Sequence, residues 1–238
     1  MENIGTKNNQ RIWAIKIVIN WLLDLLFPKF CVICGEYGDF LCEKCLGKLP
    51  QEAKYISSRV LYKKKRAPKI FANHIQGVWY FWNYRDARVK KVIHSYKFGL
   101  LKSLADQMAT LVGQFLKQAK KMTGAEAVLI PPDKGRKRMR GFDHIAEMVE
   151  EKLVSPSVRI FRVKKTFPQV AMQTKNERWK NLKDVFSAEV SGKISPQAPI
   201  ILIDDIFTSG ATATYVAKAL ARLGYKKIFL LVLAMQEF

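Results

Sequence analysis

The chain has 238 residues, 49% of them hydrophobic, and carries 41 Lys plus Arg against 20 Asp plus Glu, a formal charge of +21. That length suits one domain of ordinary size with an appendage, and the apolar fraction excludes a chain with no core. The imbalance of charge implies an anionic partner, whether nucleic acid, a nucleotide-like ligand or an acidic membrane surface, and does not say which.

Residues 12–27 form a short apolar stretch interrupted by Lys16, Asn20 and Asp24. These three are spaced four apart and so share one helical face, which predicts an amphipathic helix. A membrane span needs about 20 mostly apolar residues, so no transmembrane segment is expected here. No small-residue cleavage site follows the apolar run. The expected location is the cytoplasm, with the inner face of the membrane as an alternative for a chain carrying such a helix.

All four cysteines fall in two C-x-x-C knuckles, Cys31-Val32-Ile33-Cys34 and Cys42-Glu43-Lys44-Cys45, seven residues apart. Two such pairs supply four thiolates to a tetrahedral structural zinc, with Cys31, Cys34, Cys42 and Cys45 as ligands. Disulfides and a redox pair are the competing readings. Clustering of every cysteine within fifteen residues of a cytoplasmic chain argues against both.

Residues 49–69 read as a basic connector containing Arg59, Lys63, Lys64, Lys65 and Arg66, with Tyr55 and Tyr62 interleaved. Cations beside aromatic rings suit single-stranded nucleic acid, and equally suit a solvated linker. From Gly77 onward, strands and helices alternate. Strands are predicted at 78–82, 127–130, 158–163, 200–203 and 228–233, and helices at 85–97, 100–117, 144–153 and 211–223. Alternation of this kind predicts a mostly parallel sheet, whose ligands bind beyond the carboxyl ends of the strands.

Two turns occupy such positions. After Ile130 comes a predicted loop, 131–144, with five cations between Lys134 and Arg140, a candidate seat for a pyrophosphate group. Lys134, Arg136 and Arg140 are its candidate contacts, and a solvated basic loop is the alternative. His144 is expected to cap or start the next helix, with a proton donor near an anion as the alternative reading. The stretch from Thr166 to Phe186, with Gln169, Arg178 and Asn181, reads as a mobile hood or as a surface crossover.

The second turn is the more specific. Ile200-Ile201-Leu202-Ile203 reads as a buried strand ending at Asp204-Asp205, then Thr208-Ser209-Gly210-Ala211-Thr212 opens a helix. Helix N-terminal N–H groups and small hydroxyls suit a phosphate, and Gly210 lets the backbone come close. Two carboxylates one sugar-length away can accept hydrogen bonds from ribose hydroxyls. The unit resembles the ribose-5-phosphate loop of type I phosphoribosyltransferases, which bind phosphoribosyl pyrophosphate (PRPP). The alternative is a strand whose Asp205 merely caps the helix.

Taken in order, Leu26-Phe27-Pro28, the four cysteines, Tyr96-Lys97-Phe98, Arg140-Gly141-Phe142, Gln169 with Arg178 and Asn181, and the Asp204–Thr212 loop resemble the ComF family of competence proteins, specifically the ComFC type. The resemblance implies an α/β type I phosphoribosyltransferase fold with an N-terminal amphipathic helix and a small four-cysteine zinc ribbon. It implies an amphipathic helix at 1–30, a ribbon at 31–50, a connector at 51–76 and a phosphoribosyltransferase-like domain at 77–238. PRPP or a related sugar phosphate with Mg²⁺, structural zinc, single-stranded DNA and competence machinery are the partners it implies. Transfer of ribose 5-phosphate to an acceptor is the alternative to binding alone. Two places depart from the family pattern: Asp143-His144 stands where Asn-Gln is usual, and Leu129-Ile130-Pro131-Pro132 where Pro-Val-Pro is usual.

Overall fold

A computed structural model of the chain describes residues 25–98, 103–164, 175–191 and 194–236. The expected N-terminal helix and the stretch containing Gln169 lie outside these residues. The chain divides into two compact units, Met1–Lys48 and Leu49–Phe238.

In the first unit the two knuckles are closed by backbone hydrogen bonds. Cys31 N donates to Glu36 O at 2.8 Å, and Gly35 N returns to Cys31 O at 2.8 Å. The second knuckle runs into a single helical turn, α1 (Glu43–Leu46).

The second unit is built on a five-stranded sheet. Its strands are β1 (Lys54–Ser57), β2 (Gly77–Asn83), β3 (Glu126–Leu129), β6 (Ile200–Phe207) and β7 (Ile228–Met235), in the spatial order β1-β2-β7-β6-β3. β2, β7, β6 and β3 are parallel, and β1 joins the edge antiparallel to β2. β7, with the sequence Ile-Phe-Leu-Leu-Val-Leu-Ala-Met, is buried on both sides, as a central parallel strand must be. Alternation along β6 sends Ile200 and Leu202 into a core shared with Phe71, Val216 and Leu220. Ile201 and Ile203 therefore face the opposite side. α8 (Ala211–Arg222) covers the first face with small residues, Ala213 and Ala217, that let it lie close. α4 (Ala87–Phe98) and the long α5 (Leu104–Thr123) complete the unit, α5 burying Leu104, Met108, Leu111, Val112 and Leu116 at helical spacing.

Several sequence expectations change. The basic connector is folded: β1 pairs with β2, and α2 (Ser58–Lys63) and α3 (Lys69–His74) bury Leu61 and Phe71 completely. Ser57 caps α2 by accepting from Val60 N, so the surface cations ride on an anchored helix. The loop after β3 contains α6 (Lys134–Arg140), which Asp133 caps by accepting from Gly135 N and Arg136 N; Gly141, at φ 77°, ends it. The helix expected at 144–153 is one turn followed by a short 3₁₀ segment, Glu151–Leu153. Pairing wins there, because Val154 bridges Ala127 on the edge of β3 and Ser155 N donates to Ala127 O. The strand near 158–163, β4 (Val158–Arg162), pairs antiparallel with β5 (Phe186–Val190) in a separate two-stranded sheet. Val158 and Ile160 lie more deeply than Arg159 and Phe161, the alternation of a strand with one covered face.

Candidate functional site

The acidic pair lies within β6 rather than past its end, because Ile206 and Phe207 continue the ladder against Ala234 and Met235. Alternation then turns Asp204 and Asp205 to opposite sides. Asp205 meets α4. Its Oδ2 accepts from Lys97 Nζ at 2.5 Å and from His144 Nε2 at 2.9 Å, with the Lys97 and Asp205 side chains only 15% and 9% exposed. His144 Nδ1 is 2.8 Å from Arg140 Nη1, and the Tyr96 hydroxyl donates to the His144 carbonyl at 2.6 Å.

This chain of contacts fixes a tautomer. A guanidinium only donates, so His144 Nδ1 accepts from Arg140. A carboxylate only accepts, so His144 Nε2 carries the proton toward Asp205. Burial would raise the Asp205 carboxyl, but Lys97 and His144 overcome it and hold the group far below the ordinary carboxylate range. Asp204 goes the other way. Burial, together with the Asp205 charge, pushes its carboxyl up to about 7. Neighbouring acids driven apart in this way often mark functional positions.

These groups line a cavity of about 160 Å³ with Pro131, Pro132, Arg136, Arg162, Thr208 and Thr212. Arg162 is seated by Nε donating to Pro131 O at 3.0 Å and by stacking over Phe186, 4.8 Å from the ring centroid. Burial lowers both the Arg140 and Arg162 guanidinium values, the mark of cations held partly out of water. Arg140 is 6% exposed, and its Nε has no hydrogen-bond partner. A buried donor without an acceptor is costly, and an anionic ligand would satisfy it.

The turn after β6 is dictated by Gly210. Its φ is +73°, and a Cβ there would lie 2.6 Å from the Phe71 ring, so any other residue is both strained and obstructed. Ser209 is buried, and its Oγ accepts from Ala211 N at 3.4 Å. Ser209, Gly210 and Ala211 thus shape the turn, while Thr208 and Thr212 line the cavity.

Of the basic candidates, Arg136 and Arg140 line the cavity; Lys134 is exposed and does not. Asn181 ends α7 (Lys175–Asn181), half-buried and away from the lining, and the Arg178 side chain lies outside the described residues. Arg59, Lys63, Lys64 and Lys65 are exposed on α2 and its cap, beside the exposed Tyr62. Lys97 and Arg162 have no site role in the sequence reading, whereas His144 has one only as an alternative to capping. Lys97 sits in the Tyr-Lys-Phe segment, and the departure at His144 was the available signal. The expectation that His144 caps a helix is corrected: Asp143 does the capping, accepting from Ile145 N and Ala146 N at 3.2 Å each.

The sulfurs of Cys31, Cys34, Cys42 and Cys45 all lie within 4.8 Å of one another, and Cys34 and Cys42 are 3.7 Å apart. A tetrahedron of Zn–S bonds has edges of roughly 3.8 Å, so the group could hold a structural zinc. Burial and the neighbouring thiols push the Cys45 thiol up to about 12.

A second, larger hollow of about 710 Å³ lies at the amino ends of the same strands, lined by Trp79, Phe81, Phe115, Ile201 and Phe229 among others. Among the described residues, no helix is long and apolar enough to cross a membrane.

The second unit is thus an α/β domain with a mostly parallel sheet and a charged cavity where the strands end. Over 109 residues the chain is 32% identical to Competence protein F of Haemophilus influenzae, an overlap of 43% of this chain and 47% of that protein. The chain therefore spans about half the length of that curated relative. No family model matches the chain. The relative and the four-cysteine cluster bear out the resemblance to the ComF family.

Proposed function

We propose that this chain acts in natural competence, in the handling of incoming single-stranded DNA, and that its cavity binds PRPP or a related sugar phosphate. The relative's name supports the role in competence, and the exposed basic residues support contact with a DNA strand. One observation carries the ligand reading: a ladder strand delivers Asp204 and Asp205 into a cavity that also gathers Arg136, Arg140, Thr208 and Thr212. Thr208, Thr212 and the start of α8 receive the sugar phosphate. Asp204, the acid not clamped by a lysine, accepts from sugar hydroxyls. Arg136 and Arg140 meet the pyrophosphate, which brings Mg²⁺ with it. The enclosed volume is well below the roughly 300 Å³ of a small-ligand pocket, so part of the ligand reaches into the open. The exposed Arg59, Lys63, Lys64 and Lys65 give a DNA strand its phosphate contacts, with Tyr62 available for stacking. The four cysteines hold zinc for structure, leaving no open coordination position for chemistry.

The test is calorimetric titration of Mg²⁺-PRPP into the zinc-loaded protein and into Asp204→Asn/Asp205→Asn, with circular dichroism as the check on folding. Saturable binding that disappears in the double variant is expected. Wild-type protein that takes up no PRPP overturns the ligand assignment. Should the double variant not fold, Arg136→Ala at the cavity rim replaces it.

A further inference from the structure

The contact between Arg140 and His144 joins two groups that can both be cations, and only one charge state of the histidine permits it. With Nδ1 bare, His144 accepts from Arg140 Nη1 at 2.8 Å and donates through Nε2 to Asp205 at 2.9 Å. A proton arriving on Nδ1 leaves two donors facing each other at hydrogen-bond distance. Histidine is the side chain whose charge changes across pH 5 to 8.

We propose that His144 is a proton switch for this cavity: neutral, it keeps Arg140 engaged, and protonated, it releases Arg140 to an anionic ligand. The inference rests on the reading that the cavity takes a phosphorylated ligand and adds its regulation. Every charged neighbour bears on the sign. Lys97 and Tyr96 face His144 from α4, Asp205 from β6, and Arg140 from α6; Asp143 and Glu147 flank it, and Asp204 lines the same cavity. With no ligand, Arg140 and Lys97 oppose a further positive charge. With phosphate oxygens present, Arg140 gains a new acceptor and the imidazolium gains a counter-charge. Protonation is therefore easier in the bound state. Coupling is reciprocal, so the bound anion raises the proton affinity of His144 and the proton raises affinity for the anion by the same factor. Affinity must rise as pH falls through the histidine range, by at most about tenfold per pH unit for one linked proton.

His144→Gln separates this from ligand protonation, because glutamine can donate to Asp205 and accept from Arg140 but cannot titrate in this range. Mg²⁺-PRPP and, separately, inorganic pyrophosphate are titrated into both proteins between pH 5.5 and 8.5. Ligand protonation and Asp204 are common to both proteins and largely cancel in the affinity ratio. The expected result is a wild-type to variant ratio that grows several-fold on going from pH 8 to pH 6. In the wild type, ring ¹⁵N shifts of His144 are expected to show the Nε2–H tautomer without ligand and an upward move of its titration with ligand. A ratio that stays flat while ligand binds overturns the switch, as does a ring with its proton on Nδ1. Pyrophosphate binding with the expected ratio but without PRPP binding overturns the sugar-phosphate reading and keeps the switch. If neither ligand binds at any pH, both fall. A misfolded variant leaves the wild-type ring titration to decide.

Discussion

The two ends of one sheet have become opposite environments. At the amino ends, Trp79, Phe115, Ile201 and Phe229 enclose about 710 Å³ of mostly apolar space. At the carboxyl ends, acids, guanidiniums, a lysine and a histidine crowd around about 160 Å³. The larger hollow has rings and little charge. The smaller has the groups that can recognise an anion, and it lies where parallel strands point their ends and where the α8 N-terminus and the β3–α6 turn converge. The larger hollow lies between α5 and the sheet; the chemistry of the smaller one follows from strand direction.

Three substitutions bear on this contrast. Lys97→Met removes one partner of a nearly buried ion pair and is expected to cost about 3 kcal/mol in urea unfolding at pH 7, since the remaining charge keeps its desolvation penalty. The cost depends on pH. Asp205 is held below its ordinary value, so the contribution of the pair is complete above the unfolded value near 4 and fades as pH falls below it. Unchanged stability in Lys97→Met would mean that the charged end is no more tightly knit than the surface.

Asp204→Asn should act in the opposite direction. With its carboxyl pushed up to about 7, Asp204 holds its proton after the unfolded chain has released it. The contribution of Asp204 to wild-type stability then declines as pH rises from about 4 to about 7. The asparagine variant should escape that decline and gain about 2 kcal/mol relative to wild type between pH 4 and pH 8, less than full linkage because the side chain is partly exposed. Parallel pH profiles for the two proteins would refute it. Phe115→Ala, at the apolar end, should cost only about 1 kcal/mol because its ring is half-buried, and should leave Mg²⁺-PRPP affinity unchanged. A changed affinity would show that the two ends are coupled and that the contrast is incomplete.

The cysteine knuckles, the apolar run of β6 and the small-residue helix after it are legible because each is a local pattern with a local cause. Asp133 and Gly141 carry the caps of α6, yet the density of cations between them reads as an anion-binding loop rather than a helix. At 49–69 the charges are numerous enough to hide Leu61, the one buried apolar residue of α2. The turn at 144–153 could not be read locally, because pairing of Val154 with β3 decides it. Lys97 and Arg162 reach the site only by packing of α4 and of the β4–β5 pair beside β6, and nothing in their own neighbourhoods of sequence points to Asp205 or Pro131.

The line from Arg140 through His144 to Asp205 and Lys97 draws on three distant parts of the chain, the histidine and its carboxylate standing 61 positions apart. Loops of that size close late and at an entropic cost that local helices do not bear. On a ribosome, everything up to the histidine emerges before the strand that completes the line. A nascent chain can carry its two thiol knuckles and most of its helices and still have no anion site. On the function proposed above, ligand capture would therefore report that synthesis has reached β6 and that the sheet has closed around it.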